Sequence, residues 1–172
     1  MSSTNTDHSG RSTAIAILWG TGLFLMIVPG LLFAASYGLE KYVLAQRWRS
    51  VEIALGWIAI VAGLAIVIWA LVTFLRVGKG TPNPVAPTQE LVVTGPFKYC
   101  RNPIQLGAMI YYLGLGACIR SLVIGVLMFG LSFVLGSLYN KLVEERELRR
   151  RFGDRYESYR AETPFLIPRL WD

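Results

Sequence analysis

Four long apolar runs set the pattern of this chain: residues 13–37, 51–75, 104–119 and 122–139. Glu52 is the one charged residue inside them. A helix rises 1.5 Å per residue, so about 20 apolar residues cross the roughly 30 Å hydrocarbon layer of a bilayer. The pattern predicts an all-α, multi-pass membrane protein with about four transmembrane helices. Residues 1–12 are mostly small and polar and read as a disordered tail. That leaves 13–172 as a single membrane domain. The first run is too long for the core of a cleavable signal peptide and lacks a strongly basic start. Pro29-Gly30 predicts a kink within it, on a face packed against protein, because a lipid-exposed kink would leave backbone groups unpaired. In the second run, Gly56, Ala62, Gly63 and Ala65 offer small surfaces for close helix contact.

The polar connections differ in character. Residues 38–50 are short and carry Glu40, Lys41, Arg47, Trp48 and Arg49, an interfacial composition. Residues 76–101 form the longest polar insertion, and Gly78, Gly80, Pro82, Pro84 and Pro87 argue against a helix there. Leu91 to Val93 make a brief extended run before a turn at Gly95-Pro96. Phe97 and Tyr99 are anchors of the kind found at membrane surfaces, and Pro103 suits the first turn of a helix. Arg120-Ser121 is a tight turn that folds 104–119 against 122–139 as a hairpin. Gly107, Gly114, Gly116, Gly125, Gly130 and Gly136 would let its arms approach closely. Beyond Asn140 the chain turns strongly charged. Leu148, Phe152 and Tyr156 recur every four residues, with Tyr159 three further on. That is one apolar stripe on a basic helix, a C-terminal amphipathic interfacial helix that Gly153 is placed to interrupt.

Composition narrows the chemistry. The chain has 172 residues, enough for one domain, and is 53% hydrophobic, too apolar for an ordinary soluble domain. The two cysteines, Cys100 and Cys118, define no disulfide framework and read as free packing thiols. The single histidine, His8, lies in the polar tail. Unless that tail folds back, a Ser-His-Asp triad, a His-rich metal site and a histidine general base are excluded. No Rossmann fingerprint or Walker loop occurs. The net charge is +6, but placement matters more than the sum. With four spans, thirteen of the seventeen basic residues fall on the side that holds both termini and the 76–101 loop. The positive-inside rule makes that side cytoplasmic. Beside four spans, Arg149-Arg150-Arg151 reads as a solvated or lipid-headgroup face, so a membrane and not nucleic acid is the expected partner. Nothing in the pattern fixes an oligomeric state.

This topology gathers polar residues. Arg101 enters the hairpin and Glu144-Glu145 leave it on the same side, so the three should meet although they are 43 residues or more apart. Charged groups this close to hydrocarbon are costly unless paired, and are candidates for function. Two readings stay open from spacing alone: a salt bridge that pins the hairpin, or a polar pocket open towards lipid. In the second, Arg101, Glu144 and Glu145 are the candidate catalytic residues.

The residues that surround this point resemble a known family. G-T-P-N-P (80–84) and L-V-V-T-G-P-F-K-Y-C-R-N-P-I-Q-L-G (91–107) are similar to the loop of the integral-membrane methyltransferases. These include the isoprenylcysteine carboxyl methyltransferases and the phospholipid N-methyltransferases. The tail E-E-R-E-L-R-R-R-F-G-D-R-Y-E-S-Y (144–159), followed by P-F-L-I-P (164–168), resembles their C-terminal signature. The likeness covers 78–168, with two motifs in the right order. It implies S-adenosylmethionine as cofactor and a membrane-embedded lipophilic acceptor, a phospholipid amine or an isoprenylcysteine-like carboxylate. By position, Gln89, Glu90, Leu91, Val92, Phe97, Asn102, Pro103, Ile104 and Gln105 match residues that hold the cofactor, and Glu144 matches an acidic cofactor contact. A sulfonium cation gains from carboxylates and aromatic faces, so the physics agrees.

Three positions depart from the family pattern. Asn102 stands where many relatives have histidine, and Gln105 where they have tyrosine. Asn140 stands where the carboxyl methyltransferases place an arginine that holds the substrate carboxylate. An amide hydrogen-bonds but does not titrate. A prenylcysteine carboxylate needs a cationic anchor, whereas a lipid amine needs a proton acceptor such as Glu144 or Glu145. The chain keeps the acids and lacks that anchor, which tilts the expectation to an amine or a neutral lipophile. Two other classes stay open: a non-catalytic membrane scaffold, and a membrane reductase with a related C-terminal half.

Overall fold

The computed structural model describes residues 26–37, 49–78 and 90–168, and every regular element in them is helical. Helix α1 spans Met26–Tyr37 and α2 spans Arg49–Gly78. A 3₁₀ turn, Gly95–Lys98, leads to α3, Pro103–Ile119, and then α4, Leu122–Tyr139. A π-helical turn, Asn140–Glu144, joins α4 to α5, Glu145–Phe152, and α6 spans Asp154–Glu162. Glu52 in the first turn of α2 and Arg76 in the last complement the helix dipole.

Among the described residues, two helical runs are long and apolar enough to cross a membrane: Arg49–Gly78 and Leu122–Phe152. That is fewer than the four spans expected. The run over 104–119 becomes a helix of 17 residues, and the described part of the first run is the short α1. Pro29 lies within α1 and is buried. The polar tail and residues 38–48 and 79–89 of the connections lie outside the described residues. Helix α2 nevertheless runs three residues past the expected end, so Arg76, Val77 and Gly78 are helical, not loop.

Helix α3 is the centre, packed between α2 and α4. The sequence gives the reason in its glycines, with one correction. A Cβ on Gly63 of α2 would stand 2.6 Å from the Gly107 carbonyl oxygen, so these two backbones touch. Gly107 and Gly114 therefore serve the α2–α3 contact, not the hairpin. Within the hairpin Gly116 meets the backbone of Gly125, while Gly130 faces open space. Leu32 of α1 closes a cluster with Ala108, Tyr112, Ile124 and Met128 over the α3–α4 seam. The hairpin turn is capped at Ser121, whose Oγ accepts from the Ile124 amide at 3.2 Å.

The C-terminal stripe also differs from expectation. Gly153 adopts φ +52° and breaks the helix in two. Leu148 and Phe152 are half-buried and Tyr156 is buried, so the stripe packs on protein rather than presenting itself to a bilayer. Tyr159 donates to the Phe97 carbonyl at 2.6 Å, tying α6 to the 3₁₀ turn.

Candidate active site

The start of α3, the end of α4 and the segment after α6 converge on one point. Pro103 forbids helix continuation towards the N-terminus, so Arg101 and Asn102 stand clear of α3 with their side chains turned inward. The Arg101 amide donates to the Pro164 carbonyl at 2.9 Å, which fixes the returning C-terminal segment beside it.

Two polar clusters share this point. The first is ionic. Arg101 Nη1 donates to Glu145 Oε1 at 2.8 Å and to Tyr156 Oη at 3.2 Å. Both members of the Arg101–Glu145 pair are close to nine-tenths buried, with side chains 11% and 12% exposed. Arg160 Nε approaches Glu145 Oε2 at 3.8 Å. The Phe165 ring lies 5.6 Å from the Arg101 guanidinium and 5.3 Å from Lys141 Nζ, so one aromatic face serves two cations. Arg101 Nε is buried and has no hydrogen-bond partner. Burial raises the Tyr156 phenol, and the Glu145 carboxylate pushes it the same way against Arg101.

The second cluster is neutral. The Asn140 side-chain N–H₂ donates to Asn102 Oδ1 at 2.9 Å and to Gln105 Oε1 at 2.6 Å. Asn102 in turn donates to the Phe165 carbonyl at 2.9 Å. Gln105 Nε2 reaches Ser137 Oγ at 3.4 Å, in space that a side chain at Gly136 would fill. The π turn makes this possible. The Glu145 amide bonds back to the Asn140 carbonyl, five residues earlier, and the widened turn holds Asn140 inward where it is buried. The three departures from the family pattern are thus one hydrogen-bonded unit. Sequence reasoning noted each alone. Partners 35 and 38 residues apart gave no signal of contact.

The other candidates fall in different places. Glu144 ends the π turn with an exposed surface. It faces the surroundings while Glu145 takes the arginine. Val92 and Phe97 are buried against Ala70, with Phe74 and Ile104 packed around them, and Leu91 is half-buried. Pro103 is buried at the first turn of α3. Glu90 is exposed, and Gln89 lies outside the described residues. Burial pushes the Cys100 thiol up to about 11, against a lowering hydrogen bond from the Asn102 backbone. Among the described residues no group of three or more His, Cys, Asp or Glu side chains is placed to hold a metal ion.

The family model described as phospholipid methyltransferase matches residues 51–155, which include both clusters' α3, α4 and α5 residues. The chain is 34% identical over 83 residues to the nickel-cobalt-cadmium resistance protein NccN of Alcaligenes xylosoxydans xylosoxydans, covering 47% of this chain and 37% of that one. It is 33% identical over 75 residues to methanethiol S-methyltransferase 2 of Bradyrhizobium diazoefficiens, covering 44% of this chain and 27% of that one. The cobalt-zinc-cadmium resistance protein CzcN of Cupriavidus metallidurans is 34% identical over 82 residues, 46% of this chain and 36% of its own. Each of these matches spans less than two-fifths of the relative's length. No solved structure matches the chain.

Proposed function

Since the chain belongs to the phospholipid methyltransferase family, we propose that it is a membrane methyltransferase that uses S-adenosylmethionine to methylate an uncharged, membrane-soluble acceptor. One observation carries this reading: a buried Arg101–Glu145 pair stands directly beside a closed, neutral amide cluster, inside the family-matched stretch.

The residues present fit the cofactor. Its carboxylate suits the unpartnered, buried Arg101 Nε, since a buried donor without an acceptor is costly. Its sulfonium suits the acidic end of the π turn, Glu144 above all. Leu91 is open enough to lie against an adenine, whereas Val92 and Phe97 already support that surface from beneath. When bound, S-adenosylmethionine supplies an electrophilic methyl group.

The chain's own residues do the rest. Arg101 holds Glu145, and through the Pro164 and Asn102–Phe165 bonds the C-terminal segment is held over them. That arrangement narrows access by water. Asn140 has both its amide hydrogens committed to Asn102 and Gln105, so it offers no cation to an acceptor carboxylate. Glu144, exposed at the end of the π turn, is the acid we assign to take the proton an amine or thiol must lose. The family description favours an amine, and the similarity to a methanethiol S-methyltransferase favours a thiol. Neither acceptor carries a carboxylate: the amine attacks as its free base and the thiol as its thiolate, once the proton has passed to Glu144. Membrane residence is supported by the two long apolar helices.

Calorimetry of the purified protein is expected to show S-adenosylmethionine binding. No heat at millimolar cofactor would leave a non-catalytic scaffold. Membranes incubated with methyl-labelled cofactor are expected to carry label in an alkali-stable amine or thioether. Base-labile label on a carboxylate would overturn the acceptor assignment.

A further inference from the structure

The acids of the C-terminal helices are spent unevenly. Glu145 takes Arg101 and Arg160, Glu157 takes Arg149 at 2.7 Å and Arg160 at 3.4 Å, and Glu147 takes Arg151 at 3.5 Å. Arg146 and Arg150 have no ion pair among the described residues. Four apart on α5, they share its outer face, opposite half-buried Leu148 and Phe152, and both are exposed.

In the turns before them the run carries exposed apolar side chains, with Lys141 drawn to the Phe165 ring and Glu144 exposed at the boundary. Leu138, Tyr139, Leu142 and Val143 have between 47% and 53% of their surface open. From Leu142 to Arg146 the helix rises about 6 Å at 1.5 Å per residue. A surface that passes from hydrocarbon-like to doubly cationic over that distance matches one environment, the step from acyl chains to phosphates in a bilayer leaflet. An acidic protein would satisfy the arginines and leave the apolar belt in water.

We propose that Arg146 and Arg150 form a docking surface for the phosphates of anionic lipids, with Leu142 and Val143 seated in the acyl layer beneath. This rests on the reading that the chain resides in a membrane. The arginines hold the end of α4 at a fixed depth, and so set the level at which the pocket meets the leaflet. Arg155 is the internal control. It is exposed on α6, and no apolar belt precedes it.

Native mass spectrometry of the detergent-solubilised full chain tests this by counting retained lipids. The probes are dioleoyl phosphatidylglycerol, dioleoyl phosphatidylcholine and inorganic phosphate as competitor. Wild type is expected to prefer the glycerol lipid. Each arginine is worth about fivefold in that preference, so Arg146→Glu with Arg150→Glu should lower it at least 25-fold, on the order expected for two surface cations. Arg155→Glu should change it little. An unchanged preference in the double variant overturns the proposal, as does equal retention of both lipids by wild type. Displacement of the lipid by millimolar inorganic phosphate would also overturn it, by showing a free-anion site. If the protein stays soluble without detergent, the membrane reading falls and takes this proposal with it. Stable insertion with an unchanged lipid preference removes this proposal alone.

Discussion

An arginine from outside the α3–α4 hairpin closes each of its ends, and the two do different things. At the turn end, Arg49 of α2 gives its guanidinium to main-chain carbonyls. Nη1 donates to Ala117 at 2.7 Å and Arg120 at 3.2 Å, and Nη2 donates to Cys118. These are carbonyls at the C-terminus of α3, where a cation is favoured by the dipole. At the open end, Arg101 gives its guanidinium to side chains, Glu145 and Tyr156, and keeps one buried N–H unspent. An arginine that satisfies backbone serves the fold. One that is held by side chains and left incompletely satisfied is arranged for something else.

Replacing both arginines sharpens that contrast. Arg101→Ala should have the largest effect, with cofactor binding and methyl transfer lost together. It should also cost about 3 kcal/mol of stability, the low end for breaking a buried pair, because Arg160 still faces Glu145. Calorimetry and thermal unfolding measure the two losses. If Arg101→Ala unfolds the protein no more than Arg49→Ala and transfers methyl groups normally, the contrast fails.

Glu144→Gln should come next, with transfer slowed on the order of 10²-fold, as for loss of a general base. Only an ionised carboxylate accepts a proton. Wild-type rates should therefore climb as pH rises through the titration of that carboxylate, and the variant should lose that rise. A pH–rate profile unchanged by the substitution would remove Glu144 from the chemistry. Arg49→Ala should be milder, about 1–2 kcal/mol of stability for charged hydrogen bonds at a half-exposed site, with KM unchanged. The smallest effect is at Cys100. Its buried thiol, raised to about 11, stays protonated at neutral pH. Maleimide should label it only after unfolding, and rapid labelling of the folded protein would show the open end to be looser than described.

The sequence disclosed the open end better than the closed one. Two apolar runs with Arg120-Ser121 between them dictate a hairpin, and a hairpin brings Arg101 to Glu145 whatever the packing detail. Arg49 looked interfacial because its partners are carbonyls, and backbone carbonyls carry no residue-type signal. The glycines announced close packing without saying against what, so Gly107 and Gly114 were assigned to the wrong neighbour. The Asn102–Gln105–Asn140 unit was visible only as three separate oddities. It depends on a change in helical pitch at Asn140, and pitch leaves no mark in hydropathy. The same blindness hid the fate of Tyr159, whose hydroxyl reaches a main-chain oxygen 62 residues away.

The π turn also fixes the chain's tolerance of length. Between Asn140 and Glu144 the helix holds one residue more than ordinary winding allows. Deleting one residue there would restore ordinary winding with α5 still on its present face, whereas deleting one residue from the α-helical part of α4 would rotate everything downstream by about 100° about the axis. Glu145 would swing away from Arg101, and Leu148 and Phe152 would leave the protein for the outer face. Every amino acid beyond the deletion would be unchanged, and the site would still be dismantled. Variants of this chain are therefore free to differ in residue type along α5 far more than in spacing, and the count from Arg101 to Glu145 behaves like a key whose cuts matter less than their separation.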